Sequence, residues 1–265
     1  MKKRFGFTLA EVLITLGIIG VVSMMVLPTI KGETEKIVTI AQLKHSYSTL
    51  QNAIRMSEYH NGKAKRWQFD NTMTGKKFFE KYIKNYIKYT QAFDSTQLKD
   101  QVPRKLLNGH KYNGSTYGTK NGGVYHILLL NGSMVSFNLV NSGRRENGWW
   151  VGIDVNGINA PNTIGKDTFL FYFSPQFGLQ PFGGPGTPAS SQWNYMEYVN
   201  EENTVRDVLT DSKYSTSCSR DAADLRSNYS QTGYWCTALI MNDGWKISKD
   251  YPWSKVKKHQ KEKKH

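Results

Sequence analysis

A run of nineteen residues without a charge, 12–30, constrains the fold of this chain more than any other part of its sequence. As an α-helix the run would be about 28 Å long, which is close to the thickness of the hydrocarbon core of a bilayer. The rest of the 265-residue chain contains no second uncharged run that is as uniformly apolar. The sequence therefore predicts one transmembrane segment, over about residues 7–30, that carries one large water-soluble part.

Basic residues gather at the two ends of the chain. The first four residues carry +3, and positive charge before a membrane segment favours a cytoplasmic N-terminus, with the soluble part outside the cytoplasm. Residues 255–265 carry +5 without apolar periodicity, which predicts a disordered basic tail. Removing both ends lowers the formal net charge from +14 to +6, which is moderate for the part in between.

Two other kinds of N-terminal segment begin in the same way. A secretory signal peptide also has a basic start, but its apolar core is shorter and small residues follow it. A plain signal anchor is the interpretation that hydropathy alone favours. Glu11 and Pro28 count against it, because a carboxylate inside an apolar membrane helix is costly and a proline removes one backbone hydrogen bond.

The segment Gly6–Ile14 resembles the cleavage and methylation motif of type IV prepilins and type II secretion pseudopilins. The resemblance covers about the first 30 residues. It implies that a prepilin peptidase removes the leader, residues 1–6, by cutting after Gly6, and then methylates the new N-terminal Phe7. It also implies that Glu11 and Pro28 are the glutamate and the helix-loosening proline of that family.

This resemblance predicts a pilin-like structural subunit of a type IV pilus or a type II secretion pseudopilus. Its size and irregular second half fit a minor subunit better than a simple repeating one. The expected partners are the bacterial inner membrane, the prepilin peptidase, other pilin subunits and the assembly machinery. After assembly the subunit is expected in a periplasmic or extracellular filament.

Glu11 is predicted to act in assembly and not in catalysis. After cleavage Phe7 carries a free amine at the membrane edge, and Glu11 of a neighbouring subunit is a natural counter-ion for it. Because neither charge is stable alone in lipid, pairing them favours the docking of subunits.

The expected fold is α+β and pilin-like, with a long N-terminal helix packed on an antiparallel sheet of about four strands. The helix is predicted from about Phe7 to Tyr59, transmembrane first and then amphipathic, and the globular domain over residues 60–254. Beyond Gly32, apolar residues recur at spacings of three and four, which is typical of one helix face. This stripe consists of Ile37, Ile40, Leu43, Tyr47, Leu50 and Ile54.

Four strands have clear sequence signals. The runs Val124–Leu130 and Ser133–Leu139 flank Asn131-Gly132, which predicts a hairpin with a two-residue turn. Trp149–Val155 and Thr168–Phe173 predict the other two strands, with one ring of the pair Trp149-Trp150 pointing inward and the other outward.

Two further segments are less regular. Gly75–Tyr89 predicts an amphipathic helix that covers the sheet with its lysines in water, and a nucleic-acid or membrane surface is the alternative. Ser174–Gln192 is rich in proline and glycine and predicts an exposed loop.

The chain has two cysteines, Cys218 and Cys236. Outside the cytoplasm such a pair usually forms a disulfide, which would close a loop worth about 3 kcal/mol in the chain-entropy model. Two buried free thiols are the alternative.

A possible calcium loop lies between the last two predicted strands. Asp154, Asn156 and Asp167 are the proposed ligands, because oxygen side chains around a glycine can enclose a hard cation. The resemblance supports this, since some pseudopilins carry a calcium-stabilised loop. The EF-hand spacing is incomplete, however, and an ordinary turn explains the same residues.

Nothing in the sequence supports an enzyme. It contains no nucleophile elbow, zinc-protease motif or phosphate loop, and its six histidines lack metal-ligand spacing. The alternative function is a filament-displayed or membrane-anchored module that binds DNA or another anionic polymer through the basic tail and body.

Overall fold

The computed structural model describes residues 7–68, 72–98, 105–112, 124–140, 148–187, 193–222 and 231–253. The predicted leader, with Gly6, and the predicted tail lie outside these ranges. The chain divides into two compact units, Met1–Thr39 and Ile40–His265.

The first long element is helix α1, Leu9–Asn61, close to the predicted bounds. In the first unit its apolar side chains are exposed on every side, and adjacent pairs such as Leu13-Ile14 and Ile18-Ile19 are both open. The exposed large apolar side chains from the helix start are Leu9, Val12, Leu13, Ile14, Leu16, Ile18, Ile19, Val21, Val22, Met24 and Val26.

Over the described residues, no helix has a stretch both long and apolar enough to cross a bilayer. The predicted transmembrane span of about 7–30 includes Met25 and residues 27–30, whose side chains lie outside the description. The transmembrane prediction is therefore not confirmed.

In the second unit, α1 is buried along the predicted stripe. Leu43, Leu50 and Ile54 are buried, and Tyr47 stacks on Phe171 of the sheet with ring centroids 5.3 Å apart. The helical periodicity thus correctly predicted which face of this part of α1 packs on the domain.

The sheet has six antiparallel strands, each paired with the next along the chain. The α+β class is confirmed, the prediction of about four strands is wrong, and the pilin-like fold remains a prediction. The strands are β1 (Tyr89–Asp94), β2 (Val124–Leu129), β3 (Met134–Val140), β4 (Gly148–Asp154), β5 (Thr168–Ser174) and β6 (Gly178–Pro181).

The two missed strands are the edges of the sheet. β1 begins at the residue where the predicted helix Gly75–Tyr89 ends, and its sequence, YTQAFD, has no buried apolar alternation. β6 has four residues and ends in Pro181, which an edge strand tolerates because one side of it needs no hydrogen bonds. Neither strand carries a local signal strong enough to predict it.

The predicted β2–β3 hairpin is confirmed, but its turn is one residue longer than expected. Gly132 N donates to Leu129 O (3.0 Å), and Leu129 N donates to Ser133 O (2.8 Å). Gly132 has a φ of 83°, in the left-handed region that glycine adopts readily. These features define a three-residue loop with a bulge at the glycine.

The segment after Thr74 is helical and amphipathic, as predicted, but irregular. It passes from α2 (Gly75–Phe78) through a π-helical turn (Phe79–Ile83) to a 3₁₀ turn (Lys84–Tyr86). Phe78 packs on Trp149 with ring centroids 4.4 Å apart, so the apolar side of the segment covers the sheet.

The second face of the sheet is covered as well. Trp149 and Trp150 point to opposite faces, as predicted, but Trp150 is also buried. It packs edge-on against Phe182, Trp193 and Tyr234 at centroid distances of 4.9, 5.2 and 6.2 Å. Every residue of β4 and β5 is consequently buried.

The layer on that second face includes α3 (Val205–Thr210) and α4 (Cys236–Asn242). Cys218 and Cys236 form a disulfide, which confirms the predicted pairing. Arg206 pairs with Asp243 at 2.9 Å and with Asp250 at 2.8 Å, and thus fixes the segment after α4 to α3.

Candidate functional site

The start of α1 holds the first candidate site, around Glu11. The Glu11 carboxylate accepts from Thr8 N and from Thr8 Oγ1, both at 2.8 Å, and Glu11 N donates back to Thr8 Oγ1 at 3.3 Å. This reciprocal arrangement is a capping box, in which two N–H groups at the helix start obtain partners. The negative charge also lies at the positive end of the helix dipole.

Glu11 therefore has a partner within its own chain, which the sequence analysis did not foresee. The signal was present: threonine followed three residues later by glutamate, before an apolar run, is typical of a helix start. Phe7, the residue predicted to carry the new amine, is 89% exposed just before this cap. Both Phe7 and Glu11 are therefore accessible to a charged partner from another chain.

The structure describes the other two predicted residues of this segment, Gly6 and Pro28, only in part or not at all. Gly6 lies outside the described residues. Pro28 lies within the unbroken helix α1, but its side chain is outside the description. A proline has no N–H to donate, so one backbone hydrogen bond of the helix is missing at this position.

The second candidate site is the β4–β5 connection. Asp154 and Asp167 come together around one hydroxyl, because Thr168 Oγ1 lies 2.9 Å from Asp154 Oδ2 and 3.4 Å from Asp167 Oδ1. Thr163 N also donates to Asp167 Oδ1. The Asn162 amide, with its nitrogen toward Asp154, reaches Asp154 Oδ2 at 3.1 Å.

The third predicted ligand, Asn156, is held differently. Its side-chain nitrogen donates to Ala160 O at 3.3 Å, and neither carboxylate is bonded to it. The backbone path of the loop thus brings two of the three predicted ligands together. Within the described ranges, no three His, Cys, Asp or Glu side chains form a group that could hold a metal.

Two oxygens of this loop are buried without a hydrogen-bond partner, Asp167 Oδ2 and Asn156 Oδ1. Asp167 is only 6% exposed, and this burial raises the pKa of its carboxyl to about 6. Buried acceptor oxygens without donors are costly, and a hard cation is one way to satisfy them. The donor set fits calcium in type, although the structure does not show a complete coordination shell.

Comparison with known protein families covers both parts of the chain. A model described as a family of unknown function matches residues 29–256. The chain belongs to this family, DUF6613. A second model, the prokaryotic N-terminal methylation motif, matches residues 1–27. No curated protein and no solved structure matches the chain.

The two matches divide this DUF6613 chain near Pro28. The N-terminal one confirms the prepilin-type cleavage and methylation signature of type IV pilins and pseudopilins, including the stretch Gly6–Glu11. Such a signature is typical of structural subunits and not of enzymes. It also implies processing by a prepilin peptidase, assembly with other pilin subunits and a secreted location, membrane-anchored or on a pilus.

Proposed function

We propose that this DUF6613 chain is a pilin-like structural subunit, of the minor kind, in a type IV pilus or a type II secretion pseudopilus. Before assembly α1 would anchor it in the bacterial inner membrane, with the second unit outside the cytoplasm. One observation carries the proposal: the helix that begins within the methylation motif exposes large apolar side chains on every side from Leu9 to Val26.

The exposed helix needs a partner that the described chain does not provide. Full burial of one large apolar side chain is worth about 1.5–3 kcal/mol, so eleven such side chains in water would be strongly unfavourable. A helix that is apolar on all sides is normally found in lipid or inside a protein assembly. Lipid before assembly and the α1 helices of other subunits afterwards would each bury this surface.

The capping box gives Glu11 a defined role at each stage. In the separate subunit, Thr8 supplies two donors to the carboxylate, which lowers the cost of keeping it in an apolar environment. In the filament, the amine of Phe7 from a neighbouring subunit would become the charged partner. The amine adds the attraction between opposite charges, which is strong in an apolar environment and which the neutral donors of Thr8 cannot supply, so its arrival favours assembly.

The experiment compares Glu11→Ala with Glu33→Ala in cells that assemble the filament. Glu33 is a control on the same helix, with an exposed side chain that pairs with Lys36 at 2.7 Å. Both variants should reach normal membrane levels. Only Glu11→Ala should be lost from sheared filaments, because deleting one partner of a desolvated ion pair leaves the other uncompensated. Equal incorporation of the two variants would contradict the proposed role of Glu11.

We also propose that the β4–β5 connection binds Ca²⁺ through Asp154, Asp167 and Asn156. The buried oxygens Asp167 Oδ2 and Asn156 Oδ1, which have no donor, support this. Modules outside the cytoplasm typically bind calcium with dissociation constants of about 10⁻⁴–10⁻³ M, so the ion would be bound at millimolar concentrations.

Calcium at about 10 mM should raise the melting temperature of the full chain in detergent by ~3–10 °C relative to chelator. Asp167→Asn should remove this increase, whereas Asp221→Asn, an exposed carboxylate elsewhere, should leave it unchanged. A melting temperature of the parent chain that does not respond to calcium would make the connection an ordinary turn.

A further inference from the structure

The turn that carries Asp167 is held by a segment that lies far along the chain. We name this segment, residues 250–253, the strap. The Tyr251 hydroxyl donates to Gly165 O, and Lys166 Nζ lies 5.6 Å from the centre of the Trp253 ring. Because both contacts reach the two residues directly before Asp167, the strap holds the part of the turn that positions this carboxylate.

The strap is itself fixed to the domain by two arginines. At its start, Arg206 pairs with Asp250 at 2.8 Å. At its end, Arg220 donates to the carbonyl oxygens of Pro252 at 3.1 Å and Trp253 at 3.3 Å. These bonds hold the backbone on both sides of Tyr251, so the tyrosine hydroxyl is presented to the turn from a fixed position.

The disulfide is a second support of the same turn. A Cβ built on Gly165 would lie 2.7 Å from Cys236 Sγ, so this close contact requires glycine. Gly165 also has a φ of 80°, which glycine adopts readily. Its N–H donates to Thr168 O at 2.8 Å, and the Asp167 N–H donates to Thr163 O at 3.1 Å. The path of the turn, and with it the place of Asp167, depends on contacts with both the disulfide and the strap.

The strap and a bound cation would act on the same pair of carboxylates. Asp154 Oδ2 and Asp167 Oδ1 lie 2.9 and 3.4 Å from Thr168 Oγ1. When both carboxylates are ionised, two like charges this close repel each other. The repulsion favours movement of Asp167 away from Asp154, and the contacts of the strap with Gly165 and Lys166 oppose that movement. A cation between the carboxylates would remove the repulsion, so its binding and the docking of the strap should strengthen each other.

We propose that the strap is a positioning element of the calcium site and that it acts through the hydroxyl of Tyr251. This inference rests on the calcium site of the proposed function and adds that the affinity of this site for Ca²⁺ depends on the strap. Because coupling between two binding events is reciprocal, Ca²⁺ should also tighten the docking of the strap.

The first experiment compares the binding of Ca²⁺ to the full chain and to Tyr251→Phe by calorimetric titration in non-ionic detergent. Tyr251 is only 5% exposed, and the substitution removes its hydroxyl while keeping the buried ring. Loss of the one hydrogen bond to Gly165 should raise the dissociation constant for Ca²⁺ about two- to tenfold. The number of ions bound per chain should stay the same.

The matched control is Tyr82→Phe. Tyr82 is also buried, and its hydroxyl is likewise bonded to the backbone, because it accepts from Gln68 N at 3.0 Å. It belongs to the π-helical turn after α2 and to neither the strap nor the β4–β5 connection. This variant should bind Ca²⁺ as the parent chain does. An equal loss of affinity in both variants would overturn the proposal, since a general loss of stability would then explain it.

Hydrogen exchange of the unaltered chain tests the reciprocal effect. Tyr251 N donates to Ser248 O at 3.1 Å, and Trp253 N donates to Tyr251 O at 2.6 Å. Saturating Ca²⁺ should slow the exchange of these two amides at least about twofold, because it should reduce the opening of the strap. The Phe78 amide, which donates to Thr74 O at 2.9 Å in the segment before β1, should exchange equally with and without Ca²⁺. Exchange in the strap that ignores Ca²⁺ would overturn the proposal.

The titration separates this inference from the site on which it rests. A parent chain that binds no Ca²⁺ would overturn both the calcium site and the role of the strap. A parent chain and a Tyr251→Phe variant that bind Ca²⁺ equally well would overturn the role of the strap and leave the calcium site in place. Neither result bears on the proposed pilin-like assembly through α1.

Discussion

The first part of α1 is exposed to solvent, whereas the centre of the sheet is buried. From Leu9 to Val26 the helix exposes its large apolar side chains on all sides, whereas β4 and β5 are buried at every residue. The sheet is enclosed by residues of its own chain, and the helix is not. The burial of the sheet locates the stable core in the second unit, and the exposed side chains of the first unit are those that the proposed function assigns to contacts with lipid or other subunits.

The same capping motif occurs in both regions. Thr204 and Asp207 at the start of α3 are bonded as Thr8 and Glu11 are at the start of α1, with side-chain bonds of 2.7–3.2 Å. The geometry of the two helix starts is alike, while their surroundings differ. Matched substitutions in the two capping boxes can therefore separate the local stability of a helix start from the stability of the folded domain.

The two regions should differ most in how much stability is lost when a large apolar side chain is truncated to alanine. Phe171→Ala should reduce the free energy of unfolding by about 3–5 kcal/mol, because Phe171 is fully buried and stacks on Tyr47. Ile18→Ala, at an exposed position, should change it by less than about 0.5 kcal/mol. Denaturant unfolding of the full chain in detergent measures both. Similar losses would mean that the first part of α1 is also part of the stable core.

The disulfide gives the next largest effect. Replacing Cys218 and Cys236 together with Ala should cost about 3 kcal/mol, since the unfolded chain loses an 18-residue cross-link. The layer on the second face should loosen first, and near-ultraviolet circular dichroism would report this through Trp150 and Trp193. An unchanged spectrum and unchanged unfolding would show that this layer is held by its aromatic packing alone.

Removing the capping threonine of either helix should have the smallest effect on stability. Thr204→Ala should lower the free energy of unfolding by about 1 kcal/mol. Thr8→Ala should leave it unchanged and instead increase the hydrogen-exchange rate of the Glu11 amide by about fivefold, the equivalent of about 1 kcal/mol. If Thr8→Ala lowered the free energy of global unfolding as much as Thr204→Ala does, the two regions would unfold as one cooperative unit.

Those elements that depend on local periodicity could be predicted from the sequence. The stripe of α1 from Ile40 onward, the β2–β3 hairpin and strands β4 and β5 have apolar patterns, and the structure places them as expected. Ile37, the first residue of the predicted stripe, is instead 70% exposed. The burial of Trp150 could not be predicted, because its partner Phe182 comes from the segment rich in proline and glycine, Ser174–Gln192, and its partner Trp193 directly follows that segment. The contact between them depends on tertiary packing.

At the candidate sites, too, the sequence predicted what depends on a local motif but not what depends on tertiary structure. A short linear motif located Phe7 and Glu11, and the Thr8 cap could have been predicted from the same residues. At the β4–β5 connection, sequence spacing suggested three ligands, but the loop path brings Asp154 and Asp167 together and ties Asn156 to Ala160. Side-chain direction in an irregular loop depends on turns such as the one around Asn162, which spacing alone does not define.

The mass of the mature N-terminus tests the central claim most directly. The account predicts that the chain, purified from cells with an active prepilin peptidase, begins at Phe7 and carries one methyl group on its amine. A Gly6→Val variant should retain the leader and serve as the uncleaved reference. A chain from the same cells that still begins at Met1 would contradict the account, because no free amine at Phe7 would then be available to Glu11 of a neighbouring subunit.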